Sequence, residues 1–229
     1  MENKTVKDTQ EISPGVAVLA VIASFLLMLF LGVFVFALLG EEIGEKIFMV
    51  LGELLIAAVP FCYLIYKGVD IKKYIGLEIN FKSIALGVVV GALLLLFDIF
   101  IIIVLTMLLG QSEAVEQSNK RIIEMSSSIE GLILVVATLT LAGLCEEFAF
   151  RGFLQTAIGG RYSSGVAIFA SSLVFGLLHF DPQMVYTIAA FLLGLVLGYV
   201  YYKWRSYTIS ASAHATLNLI VLALALLFP

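Results

Sequence analysis

Residues 131–157 read GLILVVATLTLAGLCEEFAFRGFLQTA. From 131 to 145 the run carries no charge, and then Glu146, Glu147 and Arg151 follow within two turns of helix. A helix that crosses a bilayer needs about 20 largely apolar residues, and this stretch supplies them. An ionisable side chain inside such a span costs several kcal/mol unless it is paired or solvated. The stretch therefore sets both the fold, a membrane-spanning helix, and the question of what its charges do.

The rest of the chain agrees with the fold. Of 229 residues, 62% are hydrophobic and 13% charged, and the mean hydropathy is +1.10. Soluble domains run about 45–50% apolar and about 25% charged, so this much apolar surface needs lipid. The net charge of −4 leaves no basic footprint for nucleic acid. Cys62 and Cys145 both lie in apolar runs and suggest no disulfide framework.

Seven segments qualify as spans: 14–39, 47–66, 83–109, 131–157, 164–180, 184–203 and 208–228. The expected fold is an all-α polytopic transmembrane bundle of about seven helices, eight if one is missed or split. It is a single integral membrane domain over 1–229, with a three-helix portion over 1–129 and a functional core over 130–229. Segments 67–82 and 110–130 read as the substantial loops. With the N-terminus in the cytoplasm, nine lysines and arginines fall on the cytoplasmic side; Lys46, Lys120 and Arg121 fall on the other. That bias orients the chain N-terminus inside and puts Pro229 outside.

The intramembrane polar residues cluster in the last four spans. Glu147 and Arg151 are four apart with the acid first, the favourable order for a helical ion pair. Glu146 points about 100° away from that pair and is the free carboxylate, a candidate general base. The chain has two histidines, His179 in "VFGLLHF" and His214 in "SAHATLN". Phe175 precedes His179 by four residues, so ring can pack on ring. His214 and Asn218 share a helix face and form either a donor pair for an oxyanion or an interhelical clip. Cys145 reads as packing, since a thiolate beside two acids is disfavoured. Asp98 and Glu53 also lie in spans, and their roles stay open.

These residues make three motifs in order: Glu-Glu-x-x-x-Arg in "EEFAFR", Phe-x-x-x-His in "FGLLH" and His-x-x-x-Asn in "HATLN". On successive apolar segments they resemble the CAAX prenyl protease 2 and bacteriocin-processing (CPBP, or Abi) family of intramembrane endopeptidases, over roughly residues 130–225. The resemblance implies that Glu146 activates a water that His179 helps to hold. It implies that His214 and Asn218 stabilise the oxyanion, while Glu147, Arg151 and Phe175 support the site. The implied substrates are membrane-bound proteins, prenylated at a CAAX terminus or processed in bacteriocin maturation, with membrane lipid around them. The implied place is a membrane, the plasma membrane in a prokaryote, with the site open to the cytoplasm. Prenyl-protein proteases of the family typically have eight spans, one more than the seven counted here.

Zinc is an alternative, because Glu146, His179 and His214 could supply three ligands. That would consume the free carboxylate, which favours metal-free activation. Two other functions stay open, a proton-coupled transporter and a non-catalytic immunity protein of the same fold. Helical rise adds an objection. Counted at about 1.5 Å per residue, His179 lies about 22 Å from its cytoplasmic end and His214 about 10 Å from its own, so they cannot meet unless the fifth helix is tilted or starts in the cytoplasm before the bilayer.

Overall fold

A computed structural model describes residues 12–228. Lys4 and Lys7, which enter the charge count, and Pro229 lie outside the described residues. The helices are α1 (Pro14–Tyr66), α2 (Ile71–Ile75), α3 (Phe81–Leu109), α4 (Glu113–Met125) and α5 (Ile129–Glu147). A π-helical segment (Phe148–Gln155) continues α5 into α6 (Thr156–Gly159), and α7 (Ser164–Leu178), α8 (Val185–Trp204) and α9 (Tyr207–Leu227) follow. There is no strand among the described residues.

Each of the seven expected spans is helical. α1 holds the first two, broken at Gly40, whose φ of 75° and ψ of 178° suit glycine alone. Five helices are long and apolar enough to cross a membrane: α1, α3, Ile129–Gly159, α8 and α9. α7 is apolar and shorter, with 15 residues. The chain is an all-α polytopic bundle and an integral membrane protein.

Short polar side chains start the helices. Ser13, Asn80, Ser112, Ser128, Ser163 and Ser206 each accept a bond from a backbone N–H in the first turn, satisfying a donor that has no helical partner. Asp70 does the same for α2. Segment 110–130, expected as a loop, instead contains α4. Its polar composition conceals an amphipathic helix with Glu113 and Glu116 in the first turn, where the helix dipole favours acids. Glu116 accepts from Lys120 at 2.6 Å, and Arg121 pairs with Glu41 and Glu45 beside the Gly40 break.

The two halves of the bundle differ in burial. In the most apolar stretches of α1 and α3 only 22% and 17% of residues are buried, against 50% in Ile129–Gly159 and in α8. The first half therefore turns most of its side chains outward, towards lipid, and the second half forms the interior. α9 sits between α3 and α5 at very short range. A Cβ on Gly91 would lie 2.4 Å from the Ala213 carbonyl oxygen, and one on Gly143 would lie 2.5 Å from the Ala215 nitrogen. Such small-residue contacts let membrane helices approach backbone to backbone. The contact at Gly143 brings His214 against the end of α5.

Candidate active site

Around Glu147 the chain leaves α-helical geometry for the π-helical turn, and all eight residues of that turn are buried. A π-bulge is costly and recurs at functional sites. Glu147 and Arg151 are both 0% exposed. Arg151 Nη1 donates to Glu147 Oε1 at 2.7 Å, Nη2 donates to the Gly194 carbonyl at 3.2 Å, and the guanidinium lies 4.4 Å from the Phe175 ring centre. The ion pair expected from spacing is in place, and it is bound to α7 and α8 as well.

Glu147 also does something the sequence did not indicate. Its Oε1 meets His214 Nδ1 at 3.1 Å. A carboxylate there can only accept, so Nδ1 carries the proton and Nε2 turns the other way. His179 is fixed by the same logic, because its Nδ1 lies 2.8 Å from the Phe175 carbonyl oxygen. The Phe175 ring stacks at 4.4 Å from the His179 ring and at 6.0 Å from His214.

Both Nε2 atoms face Glu146. His179 Nε2 lies 3.7 Å from Oε1 and His214 Nε2 lies 3.7 Å from Oε2. At that range these are near contacts rather than hydrogen bonds, and polar groups so spaced are commonly bridged by water. Glu146 is 7% exposed, and among the described residues it has no closer partner. The two adjacent carboxylates thus face different neighbours, as their 100° offset on a helix requires.

The depth objection is resolved by an offset between α7 and α9. The start of α7 lies beside α6, where a Cβ on Gly159 would lie 3.7 Å from the Ala167 side chain. By contrast Tyr207, the first residue of α9, already donates its hydroxyl to the Leu144 carbonyl at 2.9 Å. α9 starts closer to Glu146 than α7 does, so a short count to His214 and a long count to His179 end at one place.

Asn218 is less directly placed. Its Nδ2 donates to the Leu139 carbonyl at 3.3 Å, so one amide hydrogen clips α9 to α5. Cys145 is half-buried and makes no polar contact among those described. Glu53 on α1 has an Oε2 with no partner among the described residues. Tyr186 packs its ring 5.5 Å from that of His179.

Sequence reasoning missed Tyr186 and also Asp181, in the loop after His179. Asp181 is 2% exposed. It accepts from the Ser112 hydroxyl and from the backbone N–H of Gln183 and Tyr186, at 3.4 and 3.1 Å for the last two. Thr187 closes the loop by accepting from Asp181 N and donating to the His179 carbonyl. Burial by itself would raise the Asp181 pKa, but the bonds from Ser112 and the loop backbone outweigh it and hold the carboxyl below its usual range. The readable signal was an Asp next to Pro182 between two spans, a turn-forming pair.

Among the described residues no group of three His, Cys, Asp or Glu side chains is disposed to hold a metal ion.

Residues 128–220 match the family model of type II CAAX prenyl endopeptidase Rce1-like proteins. The match begins at the Ser128 cap of α5 and ends in α9, so it contains all three motifs and bears out the resemblance read from them. The matched family is one of prenyl endopeptidases, a class of protease. No curated protein and no solved structure matches the chain.

Proposed function

We propose that this Rce1-like chain is an intramembrane endopeptidase that hydrolyses a peptide bond near the C-terminus of a membrane-bound, CAAX-type prenylated protein. The observation that carries the reading is the Glu146 carboxylate set between two imidazoles whose outer nitrogens are already committed, to Phe175 and to Glu147. With Nδ1 protonated, His179 Nε2 offers a lone pair, so Glu146 and His179 can both accept from one water and orient it. Glu146 takes the water's proton as its oxygen bonds to the scissile carbonyl carbon. The tetrahedral oxyanion then needs donors. His214 supplies one as an imidazolium, with Glu147 backing Nδ1–H and Nε2–H directed to the Glu146 side, and Asn218 supplies its second amide hydrogen. Collapse breaks the C–N bond, and the proton held by Glu146 passes to the leaving amine. No step is routed through a metal.

The excess of lysine and arginine on the side assigned to the cytoplasm supports an N-terminus inside and a site reached from that face. Cleavage of a farnesylated CAAX peptide and of a non-prenylated control by the purified chain tests the proposal. Glu146→Ala and His179→Ala should each abolish cleavage of the farnesylated peptide, and a chelator should leave the wild type unchanged. Activity that survives both substitutions sinks the mechanism, and loss with chelator moves it to metal chemistry.

A further inference from the structure

One cavity lies away from Glu146. It has a volume of about 760 Å³ and lies beyond the Glu147–Arg151 pair, where the start of α1, α2, the α6–α7 turn and the α8–α9 turn meet. Three cations from three of these segments line it, Lys73, Arg161 and Arg205, and no Asp or Glu does. Among the described residues none of the three cations has a carboxylate within ion-pair distance. Among the described residues the cavity lining therefore carries positive charge with no acid paired to it, which a low-dielectric wall focuses.

Its neutral lining points the same way. Tyr74 is 5% exposed and its hydroxyl has no partner among the described residues. That buried donor shares the cavity lining with Arg205 and Tyr201. An orphaned buried hydroxyl costs about 1–3 kcal/mol, which a ligand acceptor would recover. Arg205 sits in the left-handed region, φ 49°, a conformation costly for a non-glycine residue. Its guanidinium is steadied by Thr156 Oγ1 at 3.2 Å and by the Tyr201 ring at 5.4 Å. Ser164 opens α7 at the cavity wall, and the N-terminus of a 15-residue helix adds partial positive charge. Arginines, a lysine, hydroxyl donors and a helix N-terminus together are the chemistry of phosphate recognition.

We propose that this cavity binds a phosphoryl group, separately from the peptidase site. The group can arrive on an anionic lipid headgroup or as free phosphate. The site does not depend on the peptidase assignment, and its test does not use cleavage. Full-length chain in detergent is titrated with phosphatidylglycerol, with diacylglycerol as the uncharged counterpart, and with inorganic phosphate, and retained ligand is measured by native mass spectrometry. Selective retention of phosphatidylglycerol is expected. Arg161→Gln and Arg205→Gln should each weaken it roughly tenfold, the size expected for one charged hydrogen bond, and Tyr74→Phe should weaken it less. Lys203→Gln, close by on α8 and outside the cavity lining, should leave it unchanged.

If inorganic phosphate binds with the same dependence on Arg161, the source is soluble and the site stands. If phosphate does not bind while the lipid does, the source is a headgroup. Binding that is equal in all variants, or that falls as much with Lys203→Gln, reflects general surface charge and overturns the site. So does the absence of binding by both ligands. Arg161 lies on an exposed turn, so its variant keeps the test decisive even if Arg205→Gln disturbs the fold.

Discussion

Glu146 and Glu147 are chain neighbours that belong to two different regions. On the Glu147 side Arg151, His214, Gly194 and Phe175 hold a fully buried ion pair, with Glu147 Oε2 and Arg151 Nε left without a partner among the described residues. On the Glu146 side nothing closes to hydrogen-bond distance among the described residues, and two imidazoles stand 3.7 Å away. The same residue type, one position apart, is structural in one place and chemically open in the other. What separates them is the packing on each face of α5, not any property of the carboxylates themselves.

Substitutions should split along that line. Glu146→Gln keeps shape and removes the base, so turnover should fall by about 10²–10⁴ with little change in melting temperature. Glu147→Gln strands the buried Arg151 charge and should cost about 3–5 kcal/mol, read as a lower denaturation midpoint. Pairing it with Arg151→Met should restore much of that stability, because apolar replacement of both partners is often tolerated. Activity should not return, since His214 would still lack its carboxylate anchor. A double variant that recovers both would show that Glu147 serves the ion pair alone.

Smaller effects come from the scaffold. Gly143→Val inserts a side chain where the Ala215 backbone already lies, so α9 and His214 must shift. Overpacking of this kind costs about 1–3 kcal/mol, and turnover should fall with KM little changed. Asp181→Asn tests the loop that follows His179. The folded carboxyl is held below its usual range, so its stabilisation is complete above the unfolded value of about 4 and is lost as pH falls through the lower folded value. Wild-type melting temperature should therefore drop on the acid side more steeply than that of Asp181→Asn. Parallel curves would remove Asp181 from the account.

Much of this was legible in the sequence because lipid enforces simple rules. Long uncharged runs gave the spans, and the i, i+4 spacing gave the Glu147–Arg151 pair and the freedom of Glu146. The second role of Glu147, as anchor for His214, was hidden because it joins residues 67 apart through a contact made possible by Gly143. α4 was hidden for a different reason: hydropathy reports membrane spans and passes over a polar amphipathic helix. Asp181 and Tyr186 escaped because their partners lie across loops and neighbouring helices, where spacing carries no information. The π-helical turn has no propensity signature of its own and arises from the tertiary contacts of the eight residues it buries.

The central claim is that Glu146 does chemistry while its neighbour does structure. One preparation of Glu146→Gln, assayed for cleavage of a farnesylated CAAX peptide and for melting temperature beside the wild type, tests it most directly. The account predicts a protein that melts with the wild type and does not cut. A variant that cuts at the wild-type rate would contradict it, and so would one that loses activity only because it no longer folds.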